Sequence, residues 1–267
     1  MWTPAARVQL TRGSQPYATC LTDAEWALAE PFLPDPAHTG QPRSWPMRLL
    51  VDAVLYVLRK GCAWAHLPRD FPPPGTTHRW FLRLSRSGIF ERLAHALIMA
   101  DREASPTAAV LDAQSARSGG VGVKGVCGYD AGKKVTGRKR HALVDTDGRL
   151  LLAAVSPASL YDSRGGAALL AMSRRPWPFL ARCFADRAYT GSRVAQASPV
   201  AITIVGSAPG QKGFAVQLRR WVVERPFAWF GRCRRLARDH EATVSSAVAF
   251  FNLAAAMIIV RRLAQQL

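Results

Sequence analysis

The periodicity of the apolar residues changes near position 105, and that change restricts the architectures open to the chain. Before it, apolar residues recur at helical spacing; after it, short β-type runs take over. Thr22, with Glu25 three residues on, predicts a capping box opening a helix over 22–32, which Pro34 and Pro36 stop. Residues 35–46 form a Pro- and Gly-containing connector. A second helix is expected over Pro46–Lys60, where Leu49, Leu50, Ala53, Val54, Val57 and Leu58 share a face, with Gly61 ending it. A third spans about Thr76–Arg86 and carries His78, Arg79, Arg83 and Arg86 beside Trp80, Phe81 and Leu84; a fourth covers about 89–103. Four helices on short turns, the third lined with arginine, fit a helix-turn-helix module or a bundle that merely packs on the rest. Residues 1–20 read as a loose leader.

From Ala108 the expected strands are Ala108–Asp112, a hairpin over 141–155 turning at Asp147-Gly148, Arg182–Asp186 and Val200–Val205. Helices are expected over Arg164–Met172 and from about Arg219 onward. Antiparallel strands followed by strands alternating with helices give a mixed α/β sheet.

At 267 residues and 49% hydrophobic, the chain can bury a sizeable core, yet it carries a formal charge of +18. A pI near 10.9 points to nucleic acid, with an anionic membrane as the rival. The charge is spread along a foldable sequence rather than held in a tail, which favours a folded nucleic-acid binder. Cys20, Cys62, Cys127, Cys183 and Cys233 form no CxxC pair and suggest reduced thiols in the cytosol. The N-terminus lacks a signal-peptide pattern, and the apolar stretch Ala247–Val260 reads as a buried helix, too short to span a bilayer.

Glu224 heads a run of arginines and aromatics, with basic residues at 225, 232, 234, 235 and 238. A carboxylate inside a phosphate-attracting surface would repel nucleic acid unless a cation lay between them. Two more acids end apolar strand-like runs, Asp112 and Asp186. These three are far apart in sequence, so only tertiary folding could gather them, and divalent ions would then relieve their repulsion. Competing acids are Asp145 and Asp147, at a hairpin turn; Asp162, which could approach the site; and Asp239 and Glu241, expected to pair with the arginine run. Residues 117–140 are glycine-rich and carry Arg117, Lys124, Lys133, Lys134, Arg138, Lys139 and Arg140 around Tyr129. They read either as a solvated loop or as a basic loop that holds phosphates. The chain has no HExxH, no GxSxG, no P-loop and no GxGxxG. His141, inside a strand run, suits packing or phosphate contact better than metal ligation.

Several of these segments together resemble the DDE-type transposases of the insertion-sequence-five group. They are Leu21–Trp26; residues 48–92 with Val51-Asp52-Ala53 and Leu55–Arg59; Asp112-Ala113-Gln114-Ser115; Gly128–Lys134 with Gly137–His141; Asp186-Arg187-Ala188-Tyr189; and Trp221–Arg225 with Phe227-Ala228-Trp229 and Arg234-Arg235-Leu236. The chain departs from the pattern in being a few residues short near 196–202 and in having Pro226 just after the glutamate.

The resemblance implies an RNase H-like mixed-sheet catalytic core over about 105–267, preceded by an all-helical, helix-turn-helix-like DNA-binding domain over 21–103. It implies Asp112, Asp186 and Glu224 as catalytic residues and ligands of two Mg²⁺ ions, with Mn²⁺ able to substitute. It implies DNA cleavage and strand transfer at the terminal inverted repeats of an insertion element, by a homo-oligomer assembled on DNA. Lys133, Lys134, Arg138, Lys139, Arg140, Arg225, Arg232 and Arg235 are the expected DNA contacts, and Trp229 could stack on a displaced base. The expected location is the cytoplasm, at the nucleoid, with no membrane partner. The rival readings are another two-metal nuclease on the same core, and a catalytically inactive or domesticated transposase-derived DNA-binding protein.

Overall fold

The computed structural model describes residues 15–36, 41–119, 126–205 and 226–266. Helix α1 (Asp23–Ala29) opens on the expected capping box: Thr22 Oγ1 accepts from the Glu25 amide at 3.2 Å, and Glu25 Oε2 accepts from the Thr22 amide at 3.0 Å. A 3₁₀ turn, Glu30–Phe32, completes the segment. Helix α2 (Met47–Lys60) is buried on most of its circumference and ends at Gly61, whose φ of +69° suits glycine. A Cβ at Gly61 would stand 2.8 Å from the backbone of Arg234, so the glycine also permits a close helix approach.

Helix α3 (Pro74–Arg86) starts two residues earlier than expected, because Pro74 suits the first helical turn. Helix α4 (Ile89–Ala100) follows Gly88 and stops short of 103. The leader expectation needs correction where it is described. Tyr17 packs on Tyr56 and Phe71, each at 5.1 Å, and donates to Asp70 Oδ2 at 2.6 Å, while Cys20 and Leu21 are buried. Residues 1–14 lie outside the described residues.

The sheet has strands β1 (Ala108–Arg117), β2 (Gly128–Asp130), β3 (Val135–Asp145), β4 (Leu150–Pro157), β5 (Arg182–Ala185) and β6 (Ala201–Ile204). Their order is β2-β3-β1-β5-β6, with β4 also on β3. β1, β2, β3 and β4 pair antiparallel, whereas β5 runs parallel to β1 and β6 parallel to β5. This mixed sheet with a helical N-terminal region fits the expected RNase H-like core. The 141–155 hairpin is present, extended at both ends. Asp145 holds its turn by accepting from the amides of Asp147 and Arg149, the conformational use expected of an aspartate there. The basic loop is largely strand: 128–130 and 135–140 belong to β2 and β3, and residues 120–125 lie outside the described residues.

Helix α5 (Asp162–Ala171) covers one face of the sheet through a Gly165-Gly166 pair. Cβ atoms there would lie 2.2 Å from the His141 ring and 2.4 Å from the Tyr189 ring. Helix α6 (Ser192–Ala197) links β5 to β6. On the C-terminal side come helical residues 226–231, then α7 (Arg234–Ala237) and α8 (Val244–Leu263).

At 20 residues, α8 is longer than expected and is long and apolar enough to cross a membrane; 67% of its apolar window is nonetheless buried inside the molecule. Phe250 stacks on Phe81 of α3 at 4.4 Å, and Phe251 meets Phe230 edge-on at 4.7 Å. Each buried phenylalanine contributes about 1.5–3 kcal/mol of apolar burial. One continuous core therefore runs from α2, α3 and α4 through α8 to the sheet. A charged seam follows the same junction. Asp101, at the end of α4, accepts from Arg149 Nε at 2.5 Å and from Arg262 Nε at 2.9 Å, and Asp145 pairs with Arg102.

Candidate active site

β1 and β5 are hydrogen-bonded neighbours, and their last matched pair is Leu111 with Ala185. The next residue on each is an aspartate. Asp112 and Asp186 therefore emerge side by side, on backbones about 5 Å apart, from strands running the same way. Both are half-buried. Asp112 was expected to end a strand, but β1 continues through it to Arg117; the aspartate stands at the level where β5 leaves the sheet. Asp112 Oδ1 accepts from the Ala113 amide at 2.8 Å. Asp186 has a local role that the sequence did not reveal: it caps the 3₁₀ turn Arg187–Tyr189, with Oδ1 accepting from the Ala188 amide at 2.9 Å.

That turn swings Tyr189 back under the strand ends, where it is 1% exposed and, among the described residues, its hydroxyl has no hydrogen-bond partner. Burial, then the charges of Asp112, Asp162 and Asp186, hold the Tyr189 phenol far above its ordinary pKa. The charges of three carboxylates thus reach one phenol, and Asp162 does approach the site. Tyr189 belongs to the Asp186–Tyr189 motif, but its role needed the turn geometry to become visible.

The basic residues divide sharply by exposure. Lys133, Lys134 and Arg232 face solvent. Lys133 Nζ donates to the carbonyl of Ala113, next to Asp112, at 3.2 Å. The phosphate-contact expectation must be corrected for Arg138, Lys139, Arg140 and Arg235, all buried with their donors engaged. Arg138 is 1% exposed and donates to Asp239 Oδ2 at 3.1 Å, to the Glu241 carbonyl at 2.9 Å and to the Val126 carbonyl at 3.0 Å. Lys139 lies 2.8 Å from Asp162 Oδ1 and donates to the Leu160 carbonyl at 2.9 Å. Arg140 donates to the carbonyls of Leu236 and Arg238. Arg235 binds Glu241 Oε1 at 2.6 Å, so the expected pairing of Glu241 with the arginine run holds, while Asp239 serves Arg138 instead. Inward-facing cations at alternate positions of β3 tie the sheet to the C-terminal segment on one face and to Asp162 on the other. His141 is fully buried, with Nε2 2.9 Å from Ser156 Oγ, and burial lowers its pKa to about 4; it packs rather than ligates.

Glu224 and Arg225 lie outside the described residues. Among the described residues, no group of three His, Cys, Asp or Glu is placed to hold a metal ion. The donor set at the strand ends nonetheless fits a hard divalent cation. Asp112 and Asp186 supply two carboxylates from adjacent strand ends, the hard oxygen donors such a cation takes.

Two protein-family models match the chain. One, described as a transposase of the IS4/5 family (DUF4096), covers residues 21–94, and the other, described as a transposase DDE domain, covers residues 103–205. No curated protein and no solved structure matches it.

Proposed function

Because this chain belongs to the DDE transposases of the IS4/5 kind, we propose that it cuts and rejoins DNA at the terminal inverted repeats of an insertion element. The observation that supports this most directly is the emergence of Asp112 and Asp186 at one level on neighbouring parallel strands. Together with Glu224 they would hold two divalent ions, Mg²⁺ or Mn²⁺, which supply Lewis-acid stabilisation of the attacking and leaving oxygens in phosphoryl transfer. Asp186 is oriented by its cap on the 3₁₀ turn, and Asp112 by the strand on which it sits. The exposed ammonium groups of Lys133 and Lys134 and the guanidinium of Arg232 attract the phosphate backbone, with Arg225 as a further contact. Lys139 and its half-buried partner Asp162 act as a charge pair beside the site rather than by touching DNA. The N-terminal helices grip the element end, α3 supplying its exposed arginines. The active form is a homo-oligomer on DNA in the cytoplasm.

The test is a Mg²⁺-dependent cleavage and joining assay on DNA carrying the element ends. Cleavage with joining supports the reading. Cleavage alone would mean a nuclease, and a mobility shift without cutting a DNA-binding derivative. Asp112→Asn should abolish cleavage while DNA affinity stays equal or rises, since a ligand and a negative charge are both removed. Equal loss of binding and cleavage would refute the catalytic role.

A further inference from the structure

Away from the carboxylates, the outer ridge of α3 and the chain at 41–45 enclose a recess of about 300 Å³. Its walls include the indoles of Trp45 and Trp80 and the guanidinium groups of Arg43, Arg79 and Arg83. Arg43 and Arg83 both lie over the Trp80 ring, their Cζ atoms 5.9 and 4.9 Å from its centre. Arg43 is also anchored by donating to the Pro34 carbonyl at 3.0 Å. Among the described residues Asp35 is the one carboxylate in the lining, and no ion pair joins it to these arginines. Arg79 and Arg83 are exposed, one turn apart on the same ridge.

We propose that this recess binds a single unpaired nucleotide of the DNA, its base against Trp80 and its phosphate on Arg79 and Arg83. The inference rests on the reading of the chain as a DNA-acting transposase and adds a site for unpaired DNA, remote in sequence from the catalytic strands. Three features select that ligand. Among the described residues no carboxylate pairs with the arginines on the ridge, so the site calls for an anion. Arg83 is exposed, so its guanidinium can leave the Trp80 ring for the phosphate and free that π-face for a base, and only an unstacked base exposes its own. The recess is concave, whereas the phosphates of an intact duplex would be met by the arginine tips alone, with no use for an indole. Frayed or cleaved element ends supply such nucleotides. Arg43, held over the ring by Pro34, keeps the aromatic wall cationic and pre-organised.

The experiment compares, by fluorescence anisotropy with the full chain, a blunt duplex and the same duplex bearing a short single-stranded overhang. Trp80→Leu should weaken binding of overhang DNA about tenfold, in line with the loss of one base–aromatic stack, and leave blunt duplex unchanged. Trp80→Phe should restore most of the loss. Arg83→Gln should lower the salt-dependence slope for overhang DNA by about 0.7. A 2-aminopurine in the overhang should be quenched by the wild type, a readout that holds even if Trp80→Leu fails to fold. Equal losses on both DNAs, no loss on either, or an oligoglutamate probe that displaces no DNA yet binds in a Trp80-dependent way would overturn the proposal. If the wild type binds neither DNA, the transposase reading itself fails. If it binds and cuts DNA but overhang affinity ignores Trp80, only the nucleotide site fails.

Discussion

Replacing Arg138 with glutamine separates two roles that a basic run can have. If Arg138 served DNA, its loss would weaken binding and leave the fold intact. The structure gives it the opposite assignment. Its guanidinium is 1% exposed and is bound to Asp239, itself 2% exposed, and to the carbonyls of Val126 and Glu241. Removing the cation takes the counter-charge from a buried carboxylate and a donor from the carbonyls of Val126, Glu241 and Ala242. Breaking a buried pair from one side costs about 3–5 kcal/mol. For a chain of this size that corresponds to a fall in Tm of roughly 6–20 °C, a large share of a typical stability of about 5–15 kcal/mol. Thermal unfolding followed by circular dichroism measures it. Lys134→Gln is the control: Lys134 is exposed, so Tm should hold while the salt-dependence slope of DNA binding falls by about 0.9. A double variant, Arg138→Met with Asp239→Leu, should recover part of the lost stability because no lone charge remains. An unchanged Tm for Arg138→Gln, with a slope reduced as in Lys134→Gln, would refute the structural assignment.

Gly166→Ala should destabilise by about 1–3 kcal/mol, since its Cβ would stand 2.4 Å from the Tyr189 ring; the overpacking outweighs the roughly 1 kcal/mol of helix propensity gained, and urea titration reads the net sign. His141 stays neutral in the fold down to about pH 4, whereas it charges near 6.5 when unfolded. Stability should therefore fall as pH drops from about 6.5 to about 4, and His141→Gln should flatten that limb of the stability profile. Asp130 is depressed to about 2, chiefly by the hydroxyl of Ser115 at 2.6 Å. Its contribution is present above about pH 4 and is lost as pH falls towards 2; Ser115→Ala should raise the Asp130 titration midpoint seen by carboxyl NMR.

Much of the framework was legible because it is encoded locally. The Thr22–Glu25 capping box, Gly61 and the Asp145–Gly148 turn each act within a few residues, and their chemistry has few alternatives. Asp112 and Asp186 stood out because charged residues at the ends of apolar runs are costly without a purpose. Exposure within the stretch from Lys133 to Arg140 was not legible. A strand alternates its faces, and whether an inward face meets water or a second layer depends on where the C-terminal segment returns, a contact about a hundred residues away in sequence. For the same reason Asp239 pairs across the sheet with Arg138, although arginines lie much closer in the chain. Tyr189 escaped notice because its position depends on a one-turn helix that only the Asp186 cap creates.

Helix α8 has a consequence for how such a gene can decay. Phe250 fills the space under α3, Phe251 braces residues 226–231, and Arg262 reaches Asp101 at the end of α4. The codons for residues 244–263 therefore specify the keystone that joins the N-terminal helices to the sheet. A premature stop just ahead of them would not release a truncated DNA grip able to compete for element termini. It would yield a chain with a hollowed centre, fit for proteolysis.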